Sequence, residues 1–212
     1  MSSSLPLPDF AAAQVAAARR GRRLEYFTVA WNSAEAVAAL IAGFLAGSIA
    51  LVGFGLDSVI EISSGAVLLW RLRAEHDAQG RERAEHRALR LVGICFLALA
   101  AYVALDSIKG LVQRKAPQES LFGIGVAIAS VIAMPLLARA KRQVARQLNS
   151  GAMHADSRQT DFCAYLSAIL LVGLSLNALL GWWWADAVAA LAMTPLIANE
   201  GREALRGKCC CD

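Results

Sequence analysis

Charge is scarce along most of this 212-residue chain, where Asp, Glu, Lys and Arg together make up only 18%. Apolar residues reach 57%, against about 45–50% in an ordinary soluble domain. The excess sits in long runs almost free of charge, which excludes a soluble core and points to membrane spans. Cysteine is sparse: Cys95 and Cys163 lie inside apolar runs, and Cys209, Cys210 and Cys211 lie in the tail. Nothing in that spacing is a paired disulfide framework. No Gly-x-x-x-x-Gly-Lys-Ser/Thr segment occurs, so no nucleotide-binding loop is expected. The residues before Arg19, Arg20, Arg22 and Arg23 are alanine-rich, the wrong order for a cleaved signal peptide. The net charge of +4 flanks the apolar runs and forms no single stripe, which argues against nucleic acid as a partner.

What is present is a set of apolar runs near the ~20 residues that a span requires. They fall at 26–46, 50–70, 89–112, 121–138, 155–178 and 183–199. The expected fold is an all-α membrane protein of six transmembrane helices. It has a cytoplasmic arm at 1–25, a transporter domain at 26–200 and a short cysteine-containing tail at 201–212. Very short linkers make helices one and two, and five and six, tight hairpins. Gly43 and Gly47, four apart in helix one, are expected to let helices approach closely.

Orientation follows from the basic residues. One face collects Arg19, Arg20, Arg22, Arg23, Arg71, Arg73, Arg81, Arg83, Arg87, Arg90, Arg139, Lys141, Arg142, Arg146, Arg202, Arg206 and Lys208, seventeen in all. The other face has three, Lys109, Arg114 and Lys115. Both termini are therefore expected in the cytoplasm of a cell whose plasma (inner) membrane holds the protein. Trp182, Trp183 and Trp184 fall at the outer interface, where amphipathic rings are favoured.

Acids inside the spans carry the most information. They are Glu35, Asp57, Glu61, Asp156, Asp161 and Asp186. A charge at the bilayer centre costs from about 2.5 to more than 10 kcal/mol, so such residues face a wet cavity or the bundle interior and mark ion or proton paths. Asp57 and Glu61 are one turn apart on one face. Two such carboxylates are tolerable only with a shared proton or a cation between them. Asp156, Gln159 and Cys163 share a face of helix five, whereas Asp161 points away and pairs by spacing with His154. Each has a plainer alternative. A cysteine in a span can be a small apolar packer, Gln159 can hydrogen-bond a neighbouring helix, and Asp186 can be an interfacial cap.

Two stretches resemble a known family. Gly47-Ser48-Ile49-Ala50-Leu51 followed by Asp57-Ser58-Val59-Ile60-Glu61 is similar to the first hairpin of the cation diffusion facilitator family, a Gly-Ser-x-Ala-Leu turn leading into an Asp/His-x-x-x-Asp metal pair. Ala155-Asp156 through Gly181-Trp182-Trp183-Trp184-Ala185-Asp186 resembles its last hairpin, an Ala-Asp, then His-x-x-x-Asp, then a Gly-Trp-x-x-Ala-Asp turn. The resemblance implies a metal set of Asp57, Glu61, Gln159 and Cys163 with Asp156 nearby. Gln159 stands at the family histidine, Cys163 at the family aspartate and Glu61 at the helix-two aspartate. Many members carry a cytoplasmic domain after helix six. About a dozen residues follow here, so none is expected, and self-association would be a homodimer through the transmembrane helices.

The expected function is efflux of a divalent transition metal in exchange for protons, without a bound cofactor and without enzymatic activity. Thiolate suits Zn and Cd, and carboxylate and amide oxygens suit harder ions such as Mn, so Zn, Cd, Co, Fe and Mn all stay open. Glu35 is an extra proton carrier in this reading, and the tail cysteines either catch a soft metal or are simply solvated. Two rivals stand beside it: a proton-coupled exporter of organic cations, and a non-transporting membrane metal sensor or assembly subunit.

Overall fold

The computed structural model describes residues 7–73, 78–115 and 117–206. The tail cysteines Cys209, Cys210 and Cys211 lie outside the described residues. Six helices follow in order: α1 (Leu7–Ala46), α2 (Ile49–Arg73), α3 (Ala78–Val112), α4 (Leu121–Leu148), α5 (Gly151–Leu180) and α6 (Ala185–Leu205). Among the described residues there is no strand. The chain is an all-α membrane protein.

The helices outrun the apolar stretches. α1 begins at Leu7, because alanine and arginine favour helix as strongly as the apolar residues that follow. The basic residues mark where hydropathy falls and leave the backbone helical. α4 likewise continues to Leu148 and carries Arg139, Lys141, Arg142 and Arg146 on the helix itself. Asn149 ends it in the left-handed region at φ 47, and the Ser150 hydroxyl then accepts from Met153 N to start α5. α4 and α5 are thus a tight hairpin where the hydropathy pattern suggests a long linker.

Gly47, at φ +66, is the turn between α1 and α2, so it is not the helix-packing residue its spacing from Gly43 suggests. Gly43 does permit close packing, since a Cβ there would lie 2.9 Å from the Val52 backbone nitrogen. The largest pairings are α4 with α5, α1 with α2 and α3 with α6, and α2 touches α1, α3, α5 and α6. Any side chain on the inner faces of α2 is consequently enclosed.

Among the described residues, five helices are long and apolar enough to cross a membrane, within Gln14–Ala46, Ile49–Val67, Arg90–Val112, Leu121–Leu148 and Asp156–Leu180. α6 falls short by composition because Asp186, Glu200, Arg202 and Glu203 crowd its ends. The surface is apolar, with Phe44, Leu45, Leu105, Val112, Leu121 and Leu179 all exposed. Asn32, Glu35, Asp57, Glu61 and Lys141 are buried. This inversion is the pattern expected where lipid is the solvent.

Candidate functional site

The apolar stretch of α2 runs over Ile49–Val67. Asp57 and Glu61 straddle its middle and are 2% and 3% exposed. A helix places residues four apart on one face, so both carboxylates look the same way. Across from them α5 supplies Gln159, Thr160 and Cys163. The Thr160 hydroxyl donates to Glu61 Oε1 at 3.4 Å. The Ser64 hydroxyl, one turn below Glu61, donates to Gln159 Oε1 at 3.0 Å. Cys163 is fully buried, and its sulfur lies 3.9 Å from Glu35 Oε2 of α1. The Ser58 hydroxyl donates to that same oxygen at 3.0 Å.

Glu35, Glu61, Gln159 and Cys163 therefore meet at one junction of α1, α2 and α5, with Asp57 one turn from Glu61 on α2. The junction is polar yet poorly satisfied. Glu35 Oε1, Asp57 Oδ1, Glu61 Oε2, Gln159 Nε2 and both amide atoms of Asn32 are buried without a hydrogen-bond partner. An unmade hydrogen bond at a buried polar atom costs about 1–3 kcal/mol, and more at a charged one. A bound cation would satisfy the orphaned oxygens of this cluster, whereas the Gln159 and Asn32 amide nitrogens need acceptors. Among the described residues, no three His, Cys, Asp or Glu side chains are gathered tightly enough to enclose a metal ion. The donors face one region but are not drawn to one point.

Asp156 has a different partner. It lies one turn before Gln159 and receives Lys141 Nζ at 2.5 Å. Lys141 is fully buried and also sits 3.3 Å from the Glu25 carboxylate. This ion triad joins α1, α4 and α5 next to the acid junction. Asp161 pairs with Arg142 of α4, and His154, its partner by spacing, is exposed. Asp186 caps a helix, though not its own. Its Oδ2 accepts from Ile49 N at 2.9 Å and its other oxygen accepts the Ser48 hydroxyl, at the start of α2. The two family-like turns, Gly47-Ser48 and Ala185-Asp186, are thereby tied together.

Sequence reasoning passed over Asn32, Lys141 and Glu25. Asn32 stands three residues before Glu35 on the same face, a signal that was available. Lys141 lies in a run of basic residues that looks like a solvated linker until α4 is extended.

Beside the α1–α2 turn is a cavity of about 190 Å³, lined by Ser48, Asp106, Lys109, Trp183 and Asp186 among others. None of Glu35, Asp57, Glu61, Gln159 and Cys163 lines this cavity.

Residues 26–207 match the family model described as the cation efflux transmembrane domain. The chain is 26% identical over 169 residues to an uncharacterized transporter, sll1263, of Synechocystis, covering 76% of this chain and 54% of the relative. It is 29% identical over 133 residues to transmembrane protein 163 of Xenopus laevis, covering 63% and 47%. Against the cation-efflux pump FieF of Salmonella paratyphi A it is 26% identical over 170 residues, covering 77% and 56%. The chain thus spans about half the length of the curated relatives it matches.

Proposed function

This chain belongs to the cation efflux family, and from that premise we propose that it exports a divalent transition metal in exchange for protons. The observation that carries the reading is the buried pair Asp57 and Glu61, each with an oxygen lacking a partner, halfway along the apolar stretch of α2. The substrate set comprises Zn, Cd, Co, Fe and Mn. Asp57 and Glu61 supply charge, Cys163 a thiol, and Gln159 an amide. Asp156 lies adjacent, and its carboxylate is held by Lys141.

Ligands must shed protons to bind a cation, so metal and protons compete for the same atoms. A cation entering from the cytoplasm displaces protons from the carboxylates and the thiol. Rocking of the bundle then presents the site to the outside, where protons return and the metal leaves. A proton gradient drives this cycle without any bound cofactor.

Sealed vesicles containing the purified chain test it with a metal panel and an imposed pH gradient. Metal uptake that follows the gradient and is lost in Asp57→Asn is the expected result. Asparagine keeps the volume and removes the charge. Transport undiminished in Asp57→Asn would move the site elsewhere, and no metal flux with the parent chain would sink the transporter reading.

A further inference from the structure

We propose that α1 supplies ligands of its own to the transported ion, through Glu35 directly and Asn32 beside it, so that the ion is held by three helices and by more donors than a four-coordinate site offers. This rests on the efflux reading above and names a finer property of the same site.

Four observations converge. First, Glu35 Oε2 lies 3.9 Å from the Cys163 sulfur and accepts from Ser58 at 3.0 Å, so the carboxylate already reaches both α5 and α2. Second, its other oxygen is buried without a hydrogen bond of normal geometry, with the Ser130 hydroxyl of α4 and the Trp31 indole as its polar neighbours. Third, Asn32 is fully buried, and neither its amide oxygen nor its amide nitrogen is bonded. An asparagine that served only packing between helices would have at least one of these groups satisfied. Fourth, Asn32 stands one turn before Glu35 on the same face of α1, and the α1–α2 hairpin sets its level along α2. A Cβ on Gly55 would lie 3.1 Å from the Leu40 backbone nitrogen, and one on Gly65 would lie 3.2 Å from Val29. Between those two crossings, Asn32 comes level with Ile62, the residue after Glu61.

The chemistry of the combined set is distinctive. Three carboxylates, Glu35, Asp57 and Glu61, amide oxygens from Asn32 and Gln159 and one thiol from Cys163 would make an oxygen-rich cage. Tetrahedral Zn sites are closed by four donors, chiefly nitrogen and sulfur. Mn, and to a lesser degree Fe and Co, accept five or six donors with oxygen predominant. The side chains are not gathered in the present conformation. Carboxylates repel one another until a cation enters, and its charge supplies the attraction that draws them in. The substrate class we infer is therefore a divalent ion of high coordination number, Mn, Fe or Co, ahead of Zn.

The test adds a sulfur at position 35 and counts it. Full-length protein is purified in detergent with Cys95, Cys209, Cys210 and Cys211 replaced by serine, and Cd is the optical probe. Thiolate-to-Cd charge-transfer absorbance rises with each sulfur bound. Glu35→Cys should add one thiolate's worth to the parent signal. An unchanged signal, from monodisperse protein whose new thiol titrates, would overturn the proposal. Should Glu35→Cys fail to purify, Glu35→Gln and Asn32→Ala decide the matter by equilibrium binding of Mn and Zn. A ligand role predicts about tenfold or greater loss for Mn in Glu35→Gln, with the Mn-to-Zn preference falling in both variants; unchanged affinities and preference overturn it. Asp57→Asn is run in parallel. If it binds as the parent does, the site itself is misplaced. If it loses binding while the position-35 variants behave as the parent, only the role of α1 fails.

Discussion

Position 163 is where the sequence departs most from the family-like pattern, because a thiol stands in place of a carboxylate. Its sulfur is fully buried and lies within reach of Glu35. Serine is nearly isosteric, so Cys163→Ser leaves packing intact and removes only the soft donor. Transport of Cd and Zn should fall well below that of Mn and Co, about tenfold or more in relative rate by the scale of metal-ligand losses; a metal panel in vesicles reads this directly. An unchanged preference would make Cys163 a packing residue. Asp186 gives a contrasting case. Its carboxylate caps the first turn of α2 through Ile49 and Ser48, so Asp186→Asn should lower stability by about 1–2 kcal/mol and leave the metal preference untouched. Thermal unfolding in detergent checks the first part, and the same metal panel checks the second. The two acids of α2 were legible in the sequence because a charge amid apolar residues has few alternatives. The role of Asp186 as a cap for another helix was not, since hydropathy carries no information about which distant backbone amide a carboxylate will meet. Asn32 was overlooked because an uncharged amide barely perturbs an apolar run.

Among the described elements, the sequence located six helices and the α1–α2 and α5–α6 turns but not the tight α4–α5 turn; it shortened α1, α3 and α4 by ten residues or more and clipped α2, α5 and the end of α6 by fewer. Hydropathy measures where a helix leaves the apolar region; capping residues such as Asn149 and Ser150 decide where it ends. That error hid the Glu25–Lys141–Asp156 triad, since Lys141 becomes an interior residue only when α4 is extended past Ala138. The triad stitches three helices together. Lys141→Met keeps the bulk but strands two buried carboxylates, and breaking a buried pair in this way costs about 3–5 kcal/mol. The single variant should unfold at clearly lower temperature in detergent. Adding Glu25→Gln and Asp156→Asn removes the stranded charges and should recover most of the loss. A triple variant no more stable than Lys141→Met would show that packing of the lysine stem, and not charge pairing, holds these helices.

Over the described residues, an apolar core is wrapped by an outer surface that is also rich in apolar side chains, and acids, amides and a lysine are enclosed within the bundle. This pattern was implicit in the composition, whereas the side of the membrane on which each end lies rests on charge alone. Of the seventeen basic residues assigned to one face, Lys141 is paired inside the bundle and no longer contributes to orientation. Sixteen against three remains a decisive bias under the positive-inside rule. α6 is the helix that falls short as a span by composition, and the position of the C-tail depends on it. It packs along α3, and its 21 residues cover about 31 Å at 1.5 Å per residue, the thickness of a hydrocarbon core. A crossing α6 makes an even number of spans and returns the chain to its starting side. Reporter fusions at Gly80 and at the C-tail should therefore read cytoplasmic, and a fusion at Lys115 should read external. A cytoplasmic signal at Gly80 with an external one at the C-tail would mean that α6 stays on the outer side and that the protein crosses five times. Opposite signals at all three sites would keep six spans and reverse the molecule, and with it the direction in which a proton gradient would drive the metal.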